Sequence, residues 1–229
     1  MAMPHELGAW RGAEPPASVT LEGHFVRLEP LSAAKHATPI WHAVHGHDEV
    51  WDYLFDGPYA REDDFRQAIA AKEAVTDARF FAIVPLTGSN AGEAAGYASL
   101  MRIDTRHGVI EVGNVLFAPR LQRTPAATEA MFLMARYVFD ALGYRRYEWK
   151  CNALNEPSRR AADRLGFTYE GTFRQHMVIK GRNRDTAWFA MTDHDWPSRK
   201  AAFDAWLNPQ NFAEGGRQVR SLTQLGRDA

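Results

Sequence analysis

The chain has 229 residues, 45% of them hydrophobic, which is enough for one globular domain with a sizeable core. Its formal net charge of -1 excludes a chain-wide basic field, so we expect no nucleic-acid partner. The one cysteine, Cys151, excludes an internal disulfide, and no apolar run approaches the roughly 20 residues that span a bilayer. The N-terminal residues lack the basic-then-apolar order of a signal peptide, so we expect a cytoplasmic protein without a membrane segment.

Both ends of the chain differ in composition from its middle. The N-terminal stretch is rich in Gly, Ala and Pro and shows no apolar period, which predicts a flexible leader over 1–18. From Val19 to Pro30 apolar and polar residues alternate, which predicts a hairpin or a bent strand. The body is therefore expected over 19–196, followed by a helix and a loosely held tail over 197–229.

Periodicity predicts the elements of this body. Helices are expected over 32–45, 62–75, 125–142 and 156–165, with a last one over 197–207. Strands are expected over 79–85, 94–103, 108–117, 145–151 and 167–173, with a closing hairpin over 176–180 and 185–191. An aromatic loop, 50–60, separates the first two helices and is expected on the substrate side. This order of elements predicts an α+β (mixed α/β) fold, with a mixed sheet and helices on its faces.

Two helix starts in the second half carry the most specific signals. Thr124 is suited to cap the helix that follows it, because its hydroxyl can accept a hydrogen bond from the first turn. It belongs to the segment Gln-Arg-Thr-Pro-Ala-Ala at 122–127, and the second helix start carries Asn155 and Ser158. With Asp185 in the closing hairpin, these motifs resemble those of the GNAT superfamily of N-acetyltransferases, especially its RimJ/RimL-like members.

The resemblance covers most of 19–196 and implies the GNAT fold. That fold has a central mixed, mostly antiparallel twisted sheet, splayed between two parallel strands, with helices on both faces. Here the parallel strands would be those over 108–117 and 145–151. The resemblance also implies acetyl-CoA as co-substrate, with its pantetheine in the gap against backbone groups of Val115 and Phe117.

The loop before the first of these helices is suited to hold a pyrophosphate. Such a group needs several inward-pointing backbone N–H groups and a positive helix end. The family motif has a glycine where this chain has Pro125, which lacks an N–H but suits the first helical position. By the resemblance, the two helix starts would contact the cofactor through Gln122, Arg123, Thr124, Ala126, Ala127, Asn155 and Ser158.

Acetyl transfer needs a neutral amine beside the thioester and a route for its proton, but no covalent enzyme intermediate. Glu111 on the central strand is the first candidate base, and a carboxylate paired with an arginine is the alternative interpretation. His176 is the second candidate, because imidazole titrates near neutral pH. Many GNAT enzymes carry a catalytic tyrosine where this chain has Ala162, although RimJ/RimL-like members commonly lack it. Cys151 is expected to be a buried structural thiol rather than a nucleophile.

Two further groups of side chains allow more than one interpretation. His42, His45 and His47 lie beside two carboxylates, but their spacing matches no zinc motif, so we expect no metal site. Trp51, Tyr53, Phe55 and Tyr59 either line an acceptor pocket or pack against the domain.

The predicted function is transfer of an acetyl group from acetyl-CoA to a primary amine, in one ternary complex. The resemblance suggests a protein N terminus as acceptor, and a small-molecule amine is the next choice. The alternative is a noncatalytic acyl-CoA-binding or regulatory protein with the same fold. The sequence leaves open the acyl chain and the oligomeric state, a homodimer included.

Overall fold

A computed structural model of the protein describes residues 7–213 and 217–228. Within them, one sheet contains the strands β1 (Leu21–Glu22), β2 (Val26–Pro30), β3 (Arg79–Pro85), β4 (Gly96–Asp104), β5 (Val109–Phe117), β6 (Arg146–Asn152), β7 (Thr168–Ile179) and β8 (Arg182–Thr192). The helices are α1 (Ala33–Val44), α2 (Glu62–Glu73), α3 (Pro125–Arg136), α4 (Glu156–Arg164), α5 (Trp196–Leu207) and α6 (Leu222–Asp228). Shorter turns of helix cover Asp48–Trp51, Tyr137–Ala141 and Pro209–Asn211.

The sheet opens between its two parallel strands. Its strand order is β1-β2-β3-β4-β5-β6-β8-β7, and the only parallel neighbours among the described strands are β5 and β6. Their pairing ends at Val112 and Trp149, although β5 continues to Phe117 and β6 to Asn152. The strands diverge beyond this point, which confirms the predicted mostly antiparallel sheet splayed between two parallel strands.

A bulge in β5 marks the place where the strands begin to diverge. Between the pairs Tyr97↔Leu116 and Ser99↔Gly113, β5 has one residue more than β4. Asn114 lies in this extra length with a φ of 49°, a conformation that asparagine tolerates better than most residues. Because a bulge bends its strand, it contributes to the opening of the gap.

Helices cover both faces of the sheet, as predicted. Val112 lies with Met131 of α3 around one interior space, and Leu100 of β4 is paired with Val112 on the same face. Successive residues of a strand alternate between faces, so Tyr97 lies on the opposite face. There Lys72 of α2 places its ammonium 5.6 Å from the centre of the Tyr97 ring. No helix in the described ranges is both long and apolar enough to cross a membrane.

The described part of the predicted leader, 7–18, lies against the domain. It contains no helix or strand, but Trp10 donates its indole N–H to the carbonyl of Arg106 at 2.8 Å. The backbone N–H of Ala17 donates to the hydroxyl of Tyr137 at 3.0 Å. The expectation of a flexible leader therefore does not hold for these residues, because contacts with distant residues leave no periodic signal. Residues 1–6 of the predicted leader lie outside the described residues.

The chain after α5 folds back onto the domain instead of forming a loosely held tail. Asn211 is buried, and its side-chain amide donates to the carbonyls of Trp206 and Arg220, both at 3.0 Å. Leu222 and Leu225 of α6 are also buried. A helix of seven residues is too short to show a clear period, which is why the sequence did not predict α6.

Two elements are divided differently from the prediction. The long helix predicted after Thr124 ends as an α-helix at Arg136 and continues as a π-helical turn, and Gly143 closes it with a φ of 71°. The two strands predicted on either side of Gln175 form the single strand β7. The Gln175 N–H donates to a carboxylate oxygen of Asp185 at 2.7 Å, which supports an irregular stretch within one continuous strand.

Candidate active site

The edge of β5 beyond the bulge offers backbone groups to the gap. Ala118 donates its N–H to Ala95 on the β4 side at 2.9 Å. Because backbone groups alternate in direction along a strand, those of Val115 and Phe117 point the other way, toward the gap. The carbonyl of Phe117 accepts a hydrogen bond from the Gln122 side chain at 3.1 Å, which ties the following loop to this edge.

Three of the amides expected in the loop before α3 have no partner. Within the described residues, the N–H groups of Arg123, Thr124 and Ala126 donate no hydrogen bond, and Arg123 has a φ of 61°. The N–H of Gln122 is used in a turn, where it points at the carbonyls of Ala118 and Pro119. The expected amide of Ala127 donates to the Thr124 hydroxyl at 3.2 Å instead.

The cap that the sequence predicts is confirmed. Thr124 Oγ1 both accepts from the first turn of α3 and donates to the carbonyl of Leu121 at 2.7 Å. Threonine therefore fixes the angle at which the loop enters the helix. The three free N–H groups lie at the positive end of this helix, where an anion is favoured.

Asn155 and Ser158 hold the start of α4 against β6. The Asn155 side chain accepts the N–H of Ser158 at 3.1 Å, and the Ser158 hydroxyl accepts the indole N–H of Trp149 at 2.9 Å. Both side chains thus have partners within the protein.

Burial raises the pKa of the nearby Cys151 thiol, although a hydrogen bond with Ser158 opposes the shift. A buried thiol of this kind is a poor nucleophile, in line with the structural role expected for it.

A line of alternating charges, the polar row, crosses one face of the sheet beside the gap. It consists of Arg102, Glu111, Lys150, Glu148 and Arg146. Oε2 of Glu111 lies 2.6 Å from Arg102 and 2.9 Å from Lys150. Lys150 also lies 2.7 Å from Glu148, which in turn accepts from Arg146 at 2.7 Å. Glu111, Glu148 and Lys150 are buried, so each charge depends on its neighbours in the row.

One oxygen of Glu111 stays free of this network. Among the described contacts, Oε1 of Glu111 has no hydrogen bond or ion pair. It lies beside Gly113, where a side chain would place its Cβ 3.3 Å away. Gly113 is the first residue after the last β5–β6 pair at Val112. Glu111 is therefore paired with an arginine, as the alternative interpretation of this residue expects. Its second carboxylate oxygen nevertheless remains unpaired at the mouth of the gap.

Trp188 of β8 links the polar row to the second candidate base. The ammonium of Lys150 lies 3.8 Å from the centre of the Trp188 ring, which is a close cation–π contact. His176 lies 6.0 Å from the same ring, and its Nδ1 is 3.0 Å from the hydroxyl of Thr186. His176 is exposed on the hairpin, and no contact of the described residues joins it directly to Glu111.

The aromatic loop 50–60 places some side chains in the core and others near the end of the gap between β5 and β6. We call this end of the gap the entrance. Trp51 is buried, and its ring packs at 6.1 Å from that of Phe65 in the core. Tyr53 donates its hydroxyl to the carbonyl of Leu154 at 3.1 Å, across the turn that follows β6. This half of the loop therefore lies beside the turn at the end of the gap, and its position on the substrate side stays a prediction.

Phe55 and Arg184 form the other wall of the entrance. Arg184 is 7% exposed, and its guanidinium lies 5.1 Å from the centre of the Phe55 ring. Burial lowers the pKa of Arg184, and no carboxylate of the described residues pairs with it. Its Nε has no hydrogen-bond partner either. The entrance thus contains a buried cation whose bonding capacity is not used by the described chain.

Two of the three histidines near the end of α1 are used in surface contacts. His47 lies 3.3 Å from Glu49, and the His45 ring packs 4.5 Å from that of Trp41. The described ranges hold no group of three or more histidine, cysteine or acidic side chains arranged to bind a metal ion.

Comparison with protein families assigns the chain. It matches the acetyltransferase (GNAT) domain over residues 26–168, which is more than half of its length. The chain therefore belongs to the GNAT acetyltransferase family, a class of acyl-transferring enzymes, and the predicted family is confirmed.

Solved structures and a curated protein extend this comparison. A GCN5-related N-acetyltransferase from Brucella melitensis is 46% identical, with a TM-score of 0.93, and the match covers 96% of this chain and 100% of that one. A GNAT-family protein from Chromobacterium violaceum is 38% identical, with a TM-score of 0.78 and coverage of 86% and 97%. YdaF of Bacillus subtilis, provisionally named a ribosomal N-acetyltransferase, is 26% identical over 109 residues, which are 48% of this chain and 59% of YdaF. The chain thus spans about three fifths of this curated relative.

Several side chains around Glu111 were not predicted from the sequence. Lys150, Trp188 and Arg184 belong to strands that are paired only in the folded sheet, with Lys150 directly opposite Trp188. The signal in β6 is weak, because its polar residues alternate with apolar ones as in a half-exposed strand, and Lys150 fits this alternation. Such a charge in a central strand indicates a paired group but does not identify its partner.

Proposed function

We propose that this protein transfers the acetyl group of acetyl-CoA to a primary amine by direct attack in a ternary complex. The observation that carries the proposal is the position of the free Glu111 oxygen at the point where β5 and β6 separate. A free carboxylate at this point is placed to receive a proton from an amine that reaches a thioester in the gap. The noncatalytic alternative has no support from the family comparison.

The chain's own groups fit the phosphates and the pantetheine of coenzyme A. The N–H groups of Arg123, Thr124 and Ala126 are free at the start of α3 and would donate to the pyrophosphate. Backbone groups of Val115 and Phe117 would hydrogen-bond the amides of the pantetheine along the β5 edge. Pro125 removes one donor from the loop but leaves these three in place.

Asn155 and Ser158 would act on the cofactor indirectly. Their side chains already bond within the protein, so they hold the start of α4 and the wall of the gap. When bound, acetyl-CoA supplies the activated acetyl group. The groups of Gln122 and Ala127 that the sequence assigned to the cofactor instead stabilise the loop in this structure.

The chemical step needs one proton acceptor and one proton donor. The amine nitrogen forms a bond to the carbonyl carbon while the carbon–sulfur bond breaks, and the amine proton passes to Oε1 of Glu111 directly or through a water. The departing sulfur takes up a proton from solvent, which gives free coenzyme A. His176 is the second candidate for proton transfer, because its imidazole is exposed to solvent on the hairpin.

A peptide N terminus is the proposed acceptor. The rim of the entrance carries half-exposed aromatic side chains, with Tyr53 39%, Phe55 40% and Phe173 53% exposed. Aromatic surfaces of this kind can contact the residues that follow a terminal amine, whereas a small amine would not reach them. The relation to YdaF supports a protein acceptor, and we propose the cytoplasm as the location of the reaction.

The proposal is tested by turnover. The full chain, acetyl-CoA and a mixture of unblocked peptides are incubated while free thiol release is followed and peptide masses are measured. We expect steady thiol release with one acetyl group added at peptide N termini, and loss of both signals when the N termini are blocked. Acetyl-CoA binding without transfer to peptides or to small primary amines would contradict catalysis and favour the regulatory alternative.

A further inference from the structure

A second cavity lies at the far end of α4 from the proposed cofactor site. It is bounded by α4, the start of β7, α5 and α6, and its volume is about 330 Å³. That volume lies within the range of about 300–1,000 Å³ that is usual for small-molecule sites. Helix α4 has nine residues, so at about 1.5 Å per residue roughly 13 Å separate its two ends.

Positive charge predominates around this cavity. Arg164 of α4, Arg199 of α5 and Arg227 of α6 line it, together with one acidic residue, Asp163. Within the part of the chain that the structure describes, none of these four side chains forms an ion pair. Arg146, by contrast, is paired with both Glu148 and Glu170.

Arg199 has bonding capacity that the described residues do not use. Its Nη1 donates to the carbonyl of Gly226 in α6 at 3.1 Å, which fixes the guanidinium at the wall of the cavity. Its Nε is buried and has no hydrogen-bond partner. A buried N–H without a partner is unfavourable, and Nη2 of the same guanidinium, which makes no hydrogen bond among the described residues, is left to donate to an acceptor in the cavity.

Arg164 is held only by neutral partners. Its Nη1 donates to the hydroxyl of Thr128 at 3.1 Å, and its guanidinium lies 5.2 Å from the centre of the Trp206 ring. Burial lowers the pKa of Arg164, which is the expected effect on a cation that lacks a counterion. The cavity therefore contains a second partly buried guanidinium that an anion would stabilise.

The rest of the wall is apolar. Side chains of Phe167, Phe203 and Leu222 line the cavity, and Tyr169, which is 48% exposed, stands among the lining residues. A ligand that fits both halves of the wall needs an anionic group for the arginines and an apolar body for these side chains. A free inorganic ion would satisfy only the first half.

We propose that this cavity binds a small organic phosphate, with its phosphate at Arg164, Arg199 and Arg227 and its apolar body on the aromatic wall. Guanidinium groups bind phosphate oxygens through paired, charge-assisted hydrogen bonds. A phosphate offers three such oxygens to the three arginines, whereas a carboxylate offers two. The occupant would contact α4, β7, α5 and α6 together, and so would join the C-terminal helices to the domain.

Calorimetric titration of the full chain with phenyl phosphate tests this site. The titration is run alone and with saturating coenzyme A, so that phosphate binding at the loop before α3 does not contribute. Inorganic phosphate and benzoate serve as parallel probes for the two halves of the ligand. We expect one phenyl phosphate per chain in the presence of coenzyme A, with affinity at least about tenfold above that for inorganic phosphate or benzoate.

Three variants locate the binding. Arg199→Gln is expected to weaken phenyl phosphate binding about tenfold, and Arg227→Gln about threefold. Because Arg227 is exposed and makes no described contact, its loss should not affect folding, so this variant stays informative if Arg199→Gln unfolds. Arg160→Gln removes an exposed arginine from α4 outside the cavity and should leave the affinity unchanged.

Three results would overturn the proposal. The first is the absence of saturable phenyl phosphate binding with coenzyme A present, and the second is equal binding by the wild type and both cavity variants. Tighter binding of benzoate than of phenyl phosphate would also overturn the assignment to a phosphate. None of these outcomes depends on acetyl transfer, so the proposed function and this site fail or stand separately.

Discussion

Two regions beside the gap use their hydrogen-bonding groups in opposite ways. The loop before α3 leaves the N–H groups of Arg123, Thr124 and Ala126 without partners, whereas the polar row has every charge paired. Free donors at a helix start suit an anion that arrives with a ligand. In the row, removal of one charge leaves another buried charge uncompensated, and the pairing fixes one free carboxylate oxygen in place. Cofactor binding and chemistry should therefore respond to different substitutions.

The largest expected effect is on stability, from Lys150→Met. This change leaves the buried carboxylates of Glu111 and Glu148 without their shared cation. Breaking a buried ion pair from one side typically costs about 3–5 kcal/mol, and we expect a loss of that size in the free energy of unfolding. Urea unfolding followed by circular dichroism measures it.

Lys200→Met is the matched control for Lys150→Met. Lys200 pairs with Asp140 at a partly exposed site, with side-chain exposures of 39% and 34%. Surface pairs contribute about 0–1 kcal/mol, so a small loss is expected. Equal losses in the two variants would show that the polar row is no more important to the sheet than a surface pair.

Glu111→Gln should separate chemistry from binding. The amide keeps the shape of the side chain but cannot accept a proton, so we expect kcat to fall about 100-fold or more. The dissociation constant for acetyl-CoA should stay within about twofold, because no phosphate or pantetheine contact is lost. Steady-state kinetics and calorimetry measure the two quantities.

Glu170→Gln is the matched control for Glu111→Gln. Glu170 also pairs with an arginine, Arg146, but its side chain is 41% exposed and lies away from the gap. Its replacement should leave kcat near the wild-type value. Full turnover by Glu111→Gln would eliminate Glu111 as the base and leave His176 as the remaining candidate.

Thr124→Pro should weaken coenzyme A binding, in contrast to Glu111→Gln, which should lower kcat. It removes one free N–H from the loop and the hydroxyl that caps α3. A charge-assisted hydrogen bond contributes about 1.5–3 kcal/mol, so affinity for coenzyme A should fall roughly 10- to 100-fold. Thr124→Ser keeps the N–H and the cap and should bind normally. An unchanged affinity in Thr124→Pro would refute the placement of the pyrophosphate.

The smallest expected effect is at Gly113, which lies beside the free oxygen of Glu111. A Cβ at this position would lie 2.5 Å from the sulfur of Met101 and 3.3 Å from Oε1 of Glu111. Met101 can move aside, but displacement of the carboxylate should lower kcat of Gly113→Ala about tenfold with coenzyme A affinity unchanged. Gly8→Ala, which meets no atom within 4 Å, should have no effect. Wild-type kcat in Gly113→Ala would show that the position of Oε1 is unimportant.

The same two regions show what the sequence could predict. The loop before α3 could be predicted from local sequence, because the Thr124 cap depends only on a hydroxyl beside the first turn of its own helix. The alternating strands and the splayed parallel pair were predicted for the same reason, since each pattern is contained within a few neighbouring residues or a short family motif.

The polar row could not be predicted in this way. Lys150 and Trp188 are 38 positions apart in the chain and become neighbours only through the β6–β8 register. The seven-residue helix α6 was missed for a related reason, because its leucines are buried by packing against α5, which lies outside the local sequence of α6. Interactions that depend on register or on distant packing leave little trace in the local sequence.

Calorimetric titration with acetyl-CoA, for the wild type and for Glu111→Gln, tests the central claim most directly. The account predicts one site per chain with micromolar affinity, the same in both proteins, and no comparable binding of AMP. Such a result would separate the group that binds the cofactor from the group that handles the proton. Absence of acetyl-CoA binding by the wild type would contradict the account, because it would mean that the three free amides do not hold a pyrophosphate.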